Sequence, residues 1–161
     1  MKTNRKSVNT ILFITAIALM CICIASIYRP VSFGKEQAKR EIAVKRCLVK
    51  IRYAEEKYRS ANGQYTDDLN KLVESRLIAK DIQYIPFSDG DKFNVTISST
   101  VAKSGRTVPL MECSARYDQY LKGLDSNSIY NLNDEAAKSG RFGGLKIGDI
   151  LTPNNNAGNW E

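Results

Sequence analysis

The chain opens with a long apolar run. Residues 10–28 read TILFITAIALMCICIASIY, without a charge, and Lys2, Arg5 and Lys6 precede them. At about 1.5 Å per residue, a helix over this run is about 28 Å long, close to the thickness of a bilayer's hydrocarbon core. The pattern predicts a transmembrane helix over 10–28 behind a basic cytoplasmic tail, residues 1–9. A cleaved signal peptide is the alternative, although its apolar core is usually shorter.

A helical periodicity follows. Residues 30–34 (PVSFG) predict a short break, and residues 35–61 contain neither glycine nor proline. Apolar residues then recur three and four positions apart, as on one face of an α-helix. They are Val44, Cys47, Leu48, Ile51, Ala54, Tyr58 and Ala61. We expect a linker and amphipathic stalk helix over 29–61, ending at Asn62-Gly63, because both residues accept a left-handed helix cap.

Beyond residue 62 the pattern changes to short elements. Thr66-Asp67-Asp68 predicts a second helix that begins with a threonine cap and two acids. Strand-like runs at 82–87 and 92–98 flank an Asp-Gly turn, which predicts a β-hairpin. A third strand is predicted over 107–113, at the sheet edge because Pro109 cannot donate to a ladder. Short helices are expected over 115–124 and 128–138, and a short strand over 145–147.

Together these elements predict the α+β class. We expect an N-terminal transmembrane helix, a long amphipathic helix, and a head over 62–152 with a small antiparallel β-sheet. The C-terminal tail, residues 153–161, reads PNNNAGNWE and predicts irregular structure, held to the head only by Trp160. A chain of 161 residues is long enough for one modest core.

The net charge of +7 is unevenly distributed. Residues 29–59 carry ten basic and four acidic side chains, whereas 60–161 carry eleven basic and thirteen acidic ones. The head is therefore slightly acidic, which argues against nucleic-acid binding. The basic segment is explained by solvation of a helix face, or by contact with anionic lipid headgroups.

Candidate chemistry is sparse. The sequence has no histidine, which excludes Ser-His-Asp and Cys-His sites and imidazole zinc sites. The adjacent carboxylates at 55–56 and 67–68 point about 100° apart on a helix, so they predict ion pairing and capping rather than acid–base catalysis. Asp89 and Asp91 fit a turn better than a calcium loop, which needs about six or more oxygens. We expect no enzyme activity, no cofactor and no metal.

Two cysteines, Cys47 and Cys113, lie outside the apolar run. In an oxidising compartment they could form a disulfide between the first helix and the third strand. Two free thiols are the alternative, because the sequence does not fix the distance between their Cα atoms.

Residues 51–73, IRYAEEKYRSANGQYTDDLNKLV, resemble the helix-to-loop region of type IV pilins and type II secretion pseudopilins. There a long helix ends in a tyrosine, an Asn-Gly turn and a second tyrosine, before a short helix with leucines. The matching residues are Tyr58, Asn62, Gly63, Tyr65, Leu69 and Leu72. The resemblance implies a pilin-like head behind an N-terminal helix. The ending GLKIGDILTPNNNAGNWE also resembles a tail of membrane-anchored proteins from Bacteroidetes-type bacteria.

The chain lacks the prepilin peptidase motif of that family. Lys6-Ser7-Val8 precedes the apolar run in place of the family's glycine and aromatic residue, and residues 10–28 contain no glutamate. We therefore expect a permanent anchor rather than a processed N-terminus.

The predicted function is that of a non-catalytic, single-pass envelope protein in a bacterial inner membrane, with a cytoplasmic N-terminus and a periplasmic head. The head is expected to be a structural or protein-interaction component that binds other envelope proteins, with self-association through the stalk helix as a further possibility, and to bind no nucleic acid. Two alternatives stay open. One is a minor pseudopilin-like fibre subunit of a secretion or type IV pilus system. The other is a small ligand-binding head that uses Tyr117, Tyr120 and Trp160.

Overall fold

The computed structural model describes residues 5–101 and 105–161, with side chains described except at 5–7 and 25–30. Its elements are helix α1 (Arg5–Asn62), helix α2 (Leu69–Glu74), a 3₁₀ turn (Lys80–Gln83), strands β1 (Asn94–Val101) and β2 (Thr107–Arg116), helices α3 (Tyr117–Tyr120) and α4 (Ser126–Lys138), and strand β3 (Gly144–Gly148). The predicted α+β class is confirmed. The chain divides into two compact units, Met1–Glu36 and Gln37–Glu161.

The apolar run lies within α1, whose assignment extends from Arg5 to Asn62. The predicted break at 30–34 is therefore wrong: a proline removes only one backbone donor, and helical segments continue on both sides. Residues 1–4 of the predicted basic tail lie outside the described residues. Among the residues whose side chains are described, no helix is both long and apolar enough to cross a membrane, so the structure gives the predicted span no support.

The core of the second unit is built around the C-terminal part of α1. Val44, Leu48 and Ile51 are fully buried, and Ala54 is 2% exposed, which confirms the predicted apolar face. The face ends earlier than expected, because Ala61 is exposed. Buried side chains from the later elements complete the core, among them Leu72, Leu110, Met111, Cys113, Ala115, Tyr120, Leu121, Leu145 and Ile147.

The sheet is antiparallel, in the order β1-β2-β3. β1 pairs with β2 from Asn94↔Ser114 to Val101↔Thr107. β3 pairs only with the second half of β2, from residue 112 to residue 116. Pro109 therefore belongs to the central strand, contrary to the prediction of an edge strand. It is tolerated there because β3 does not reach this part of β2, and no ladder bond is required on that side.

The predicted hairpin around Asp89-Gly90 is wrong as a strand pair and right as a turn. Gly90 has a φ of 91°, and the N–H of Ile85 donates to the carbonyl of Asp91 at 2.8 Å. Pairing is limited to one bridge between Tyr84 and Lys92. Residues 82–83 belong to the 3₁₀ turn, and Pro86 lacks the N–H that would extend the ladder beyond the bridge.

Several predicted boundaries shift. Asp68, not Thr66, caps α2, because its Oδ1 accepts the N–H of Asn70 at 2.9 Å. Thr66 instead accepts the N–H of Asp68 on its hydroxyl at 3.1 Å. The helix predicted over 115–124 shrinks to α3, since residues 115–116 extend β2. The strand predicted over 145–147 is confirmed as β3.

Candidate functional site

The residues of the pilin-like motif lie where α1 ends and the chain turns into α2. Asn62 is the last residue of α1. Gly63 has a φ of 80°, which favours glycine, and its N–H donates to the Arg59 carbonyl at 2.7 Å. Tyr65 and the two leucines of α2 are buried, whereas Tyr58 is half-buried. Most of the motif therefore shapes and anchors this turn.

Three polar side chains meet beside the turn and form what we call the helix-end network: Glu56, Tyr65 and Asn156. The amide nitrogen of Asn156 donates to Glu56 Oε1 at 2.5 Å and to the Tyr65 hydroxyl at 2.8 Å. The Tyr65 hydroxyl also donates to Glu56 Oε1 at 3.4 Å. Burial raises the pKa of Tyr65, so this hydroxyl keeps its proton.

This network corrects the prediction for the C-terminal tail. Asn156 is 7% exposed, so an asparagine, and not only Trp160, holds the tail to the head. Arg52 on α1 adds an ion pair to Glu161 at 2.9 Å. Trp160 is half-buried, with the Lys45 ammonium 5.6 Å from the centre of its ring. The asparagine-rich composition indicated irregular backbone but gave no signal of these contacts.

Glu55 is the functional candidate that the sequence reasoning missed. Its side chain is fully buried, although ion pairing was expected for the 55–56 pair. Its Oε2 accepts the N–H of Thr66 at 3.1 Å, and its Oε1 has no partner among the described residues. Burial raises the pKa of Glu55 to about 7, although the Thr66 bond opposes the shift. Its position seven residues after Leu48, on the buried face, was the available signal.

The two cysteines predicted as a possible disulfide are free thiols in the structure. Cys47 is half-buried on α1 and Cys113 is fully buried on β2. Burial raises the pKa of both thiols, and the nearby Glu55 raises that of Cys113 further. A thiol with a raised pKa is a poor nucleophile. Within the described residues, no group of three or more His, Cys, Asp or Glu side chains is placed to hold a metal ion.

Two of the three aromatic residues of the ligand-binding alternative line one cleft, and the third does not. Tyr120 is fully buried in the core. Tyr117 and Trp160 line a cleft of about 350 Å³ on the surface of the second unit. The charged residues of this cleft form pairs, Glu41 with Lys45 at 3.8 Å and Glu135 with Arg141 at 3.0 Å; the other lining residues are Leu132, Ala136, Phe142, Gly144, Leu145 and Asn159.

A second concave surface lies beside β1. It encloses about 500 Å³ between the turn after α1 and the two strands β1 and β2, and its lining residues are Gly63, Gln64, Tyr65, Ile97, Ser98, Ser99, Thr107, Pro109 and Leu110. We call it the β1 groove. None of these residues is charged, so the groove suits uncharged side chains or backbone.

The outer edge of β1, called here the open edge, adjoins the β1 groove. β1 reads NVTISSTV, without a charge or a proline. Six of its eight residues are exposed and the other two are half-buried; Ile97 is 41% exposed and Val101 70%. In the part of the chain that the structure describes, β1 forms backbone ladders with β2 only. An exposed strand edge of this kind presents unpaired N–H and C=O groups.

The chain matches no protein-family model, no curated protein and no solved structure.

Proposed function

We propose that the chain is a membrane-anchored, non-catalytic protein whose α+β head is an interaction module of an envelope assembly. The observation that carries the proposal is the exposure of the apolar side chains in the N-terminal part of α1. Ile11, Leu12, Phe13 and Ile14 are each at least 60% exposed. Because successive helical residues point about 100° apart, these four cover every side of the helix.

A helix that is apolar on all sides needs an apolar environment around it. The exposed apolar surface continues through Leu19, Met20, Ile22 and Ile24, each more than half exposed. Apolar surfaces of this extent mark contacts with a membrane or with another protein. The uncharged run over 10–28, with basic residues before it, favours the membrane, with the N-terminus in the cytoplasm and the head in the periplasm.

Two features of the head favour an interaction role over catalysis. The groups with the most strongly shifted pKa values, Glu55, Cys113 and Tyr120, are fully buried and therefore out of reach of a substrate. The β1 groove and the open edge are surfaces of the head that carry no charge and are open to a partner. A long N-terminal helix followed by an antiparallel sheet also agrees with the arrangement that the resemblance to pilins implies.

The test is alkaline carbonate extraction of membranes that contain the full chain, compared with the double variant Ile14→Lys/Ile17→Lys. We expect the unmodified chain to stay in the membrane pellet and the variant to be released, because each lysine at the centre of a span costs about 3 kcal/mol. The control is Ile42→Lys, which changes a residue of the second unit that is 52% exposed and should leave retention unchanged. Release of the unmodified chain would refute the anchor.

The mass of the N-terminal peptide in the same membranes separates the anchored component from a fibre subunit. A permanent anchor predicts an intact N-terminus. A pseudopilin-like fibre subunit predicts removal of the first few residues and recovery of the chain in sheared surface filaments.

A further inference from the structure

We propose that the open edge of β1 pairs with the β1 strand of a second copy of this chain, antiparallel and about a two-fold axis. This inference rests on the proposed function, since it names the partner and the surface of the head's interaction. The paired surface extends over Asn94–Val101 and is bordered by the β1 groove.

The chemistry of the open edge selects a strand as the occupant. Alternate residues of an edge strand point their N–H and C=O groups away from the sheet, and only another extended backbone satisfies such a row. The usual protections against this pairing are charge, proline or a bulge, and Asn94–Val101 contains neither a charge nor a proline. The ladder with β2 is also continuous over all eight residues.

The absence of charge within β1 favours a second copy. When a strand pairs with its own copy about a two-fold axis, a charge at or beside the central residue meets the same charge of the copy, which is destabilising. β1 carries Ser, Thr, Val and Ile at its central positions, so self-pairing brings no repulsion. Hydroxyl and β-branched side chains are also favourable cross-strand neighbours.

Symmetry then fixes which residues meet. In an antiparallel pair, directly opposed residues alternate between hydrogen-bonded and non-hydrogen-bonded pairs. A two-fold axis exchanges the two strands. If Ile97 lay opposite Ser98 of the copy, the axis would also place Ser98 opposite Ile97 of the copy. These two pairs are adjacent and would be of the same type, which the alternation forbids. One residue near the middle of β1 must therefore lie opposite its own copy.

This register also places the same face of β1 from both copies on one side of the combined sheet. Opposed residues project to the same side of a sheet, and a residue opposite its own copy keeps odd positions facing odd positions. The odd face of β1 carries Val95, Ile97 and Val101. Its register partners include Met111 and Cys113, which are fully buried, so this face continues from the core. Self-pairing would extend the core face across both copies and cover the exposed Ile97.

The experiment is a cysteine scan of β1 in the full chain, in membranes. Cys21, Cys23 and Cys47 are replaced by serine and the fully buried Cys113 by alanine, because Cys113 lies opposite position 95 in the ladder and would form a disulfide within one copy. Single cysteines are placed at each position of 95–100, and disulfide-linked dimers are measured after mild oxidation. Tyr130→Cys, at a residue of α4 that is 69% exposed, reports random collisions.

We expect one sharp maximum, at position 97 or 98, with dimer at least about tenfold above the Tyr130→Cys control. A cysteine opposite its own copy has its Cα within about 5.5 Å of its partner, whereas a residue one position away is separated by about 8 Å, beyond the reach of a disulfide. A lysine beside the cysteine at the maximum, Ser98→Lys for a maximum at 97 or Ser99→Lys for one at 98, should reduce the cross-link to the control level, because two like charges then face each other diagonally across the pair.

Two results would overturn the inference: cross-linking at the control level throughout 95–100, or cysteines in β1 that cross-link only to other proteins. The second result would assign the edge to a foreign strand. Membrane retention is measured in the same samples. Retention without β1 cross-links would refute the self-pairing alone. Loss of retention in the chain that carries only the cysteine replacements would refute the proposed anchor.

Discussion

The two outer edges of the sheet differ in whether another segment of the chain pairs with them. The edge of β3 is covered by the C-terminal tail: Ile147 bridges Gly158, the N–H of Asn159 donates to Lys146 O at 3.0 Å, and the N–H of Gly148 donates to Ala157 O at 3.0 Å. The edge of β1 has no such cover among the described residues. We call the β3 side the closed edge.

The difference lies in side-chain chemistry rather than in strand propensity. The tail has few apolar residues, but asparagine amides can bind both backbone and side chains. The Asn159 side chain accepts the N–H of Lys146 at 3.1 Å and donates to the carbonyl of Gly144 at 3.0 Å. An irregular segment therefore closes an edge as a strand would. β1, with better strand propensity, is left open.

The substitution with the largest predicted effect is Gly148→Ala, which disrupts β3 at the closed edge. This residue has a φ of 73°, and a Cβ there would collide with the carbonyl oxygen of Met111 on β2. We expect Gly148→Ala to lower the free energy of unfolding by at least about 4 kcal/mol, because backbone strain and a clash with main chain add together. Urea unfolding of the full chain in detergent measures this loss through the fluorescence of Trp160, the one tryptophan.

The matched control for this change is Gly140→Ala. Gly140 has a similar φ, 65°, but a Cβ there would have no neighbour within 4 Å. This variant should cost only about 1 kcal/mol, from backbone strain alone. Equal losses in the two variants would show that the approach of Gly148 to β2 does not hold the closed edge.

The next effect concerns the turn that borders the β1 groove, which Glu55 holds through Thr66. The pKa of Glu55 rises from its ordinary 4.5 to about 7 in the folded state, so between these values the folded chain binds the proton and the unfolded chain does not. The Glu55 contribution to stability is therefore fully present below pH 4.5 and is lost as the pH rises through 7. We expect a loss on the order of 3 kcal/mol between pH 5 and pH 8.

Glu55→Gln removes the titrating group and should flatten this pH dependence. At pH 8 the variant should be more stable than the unmodified chain, since it buries no charge. At pH 5 it should be less stable by about 1 to 3 kcal/mol, because one buried amide hydrogen has no acceptor. Urea unfolding at the two pH values measures both differences, and a parallel shift at both would contradict the raised pKa.

A smaller effect tests how the tail is held beside the closed edge. In Asn156→Asp a carboxylate replaces the amide that donates to Glu56 and Tyr65. We expect a loss of about 2 kcal/mol at pH 7, because two carboxylates then face each other in a partly buried site. The loss should diminish as the pH falls and the pair takes up a proton.

Asn155→Asp is the control for this substitution. Asn155 has nearly the same φ, 55° against 53°, but it is exposed. Its replacement should change the free energy of unfolding by less than about 0.5 kcal/mol. If both aspartates cost the same, the helix-end network would not be what holds the tail.

Structural elements that follow from the periodicity of the sequence were predictable, and contacts between distant segments were not. The spacing of Val44, Leu48 and Ile51 indicated the buried face of α1, and Asn62-Gly63 indicated its end, because both signals are local. The break at 30–34 failed because a proline biases a helix without forbidding it. The hairpin failed because strand-like runs were paired with their nearest neighbours, whereas β1 pairs with β2.

The candidate site depended more on long-range contacts. Ion pairing was expected for Glu55, but its carboxylate is buried and accepts the N–H of Thr66, a contact with a residue beyond the end of α1. Asn156 lies 100 residues beyond Glu56 in sequence, and no local pattern links the two. The strand propensity of β1 was recognised, but not that its edge is open, since this depends on where the tail docks.

The substitution with the smallest predicted effect, Ser98→Lys, tests whether the edge of β1 is uncovered within one copy. Ser98→Lys places a charge on an exposed residue in the middle of β1, and we expect it to change the free energy of unfolding of the detergent-solubilised monomer by less than about 0.5 kcal/mol. Lysine is a natural edge residue, because its long side chain reaches water and its charge only discourages pairing. If part of the same chain covered β1, the lysine would be buried and the loss would approach that of Asn156→Asp. A near-zero change in urea unfolding, together with loss of the β1 cross-link in membranes, is the combination expected only when the edge is open within one copy and occupied by another.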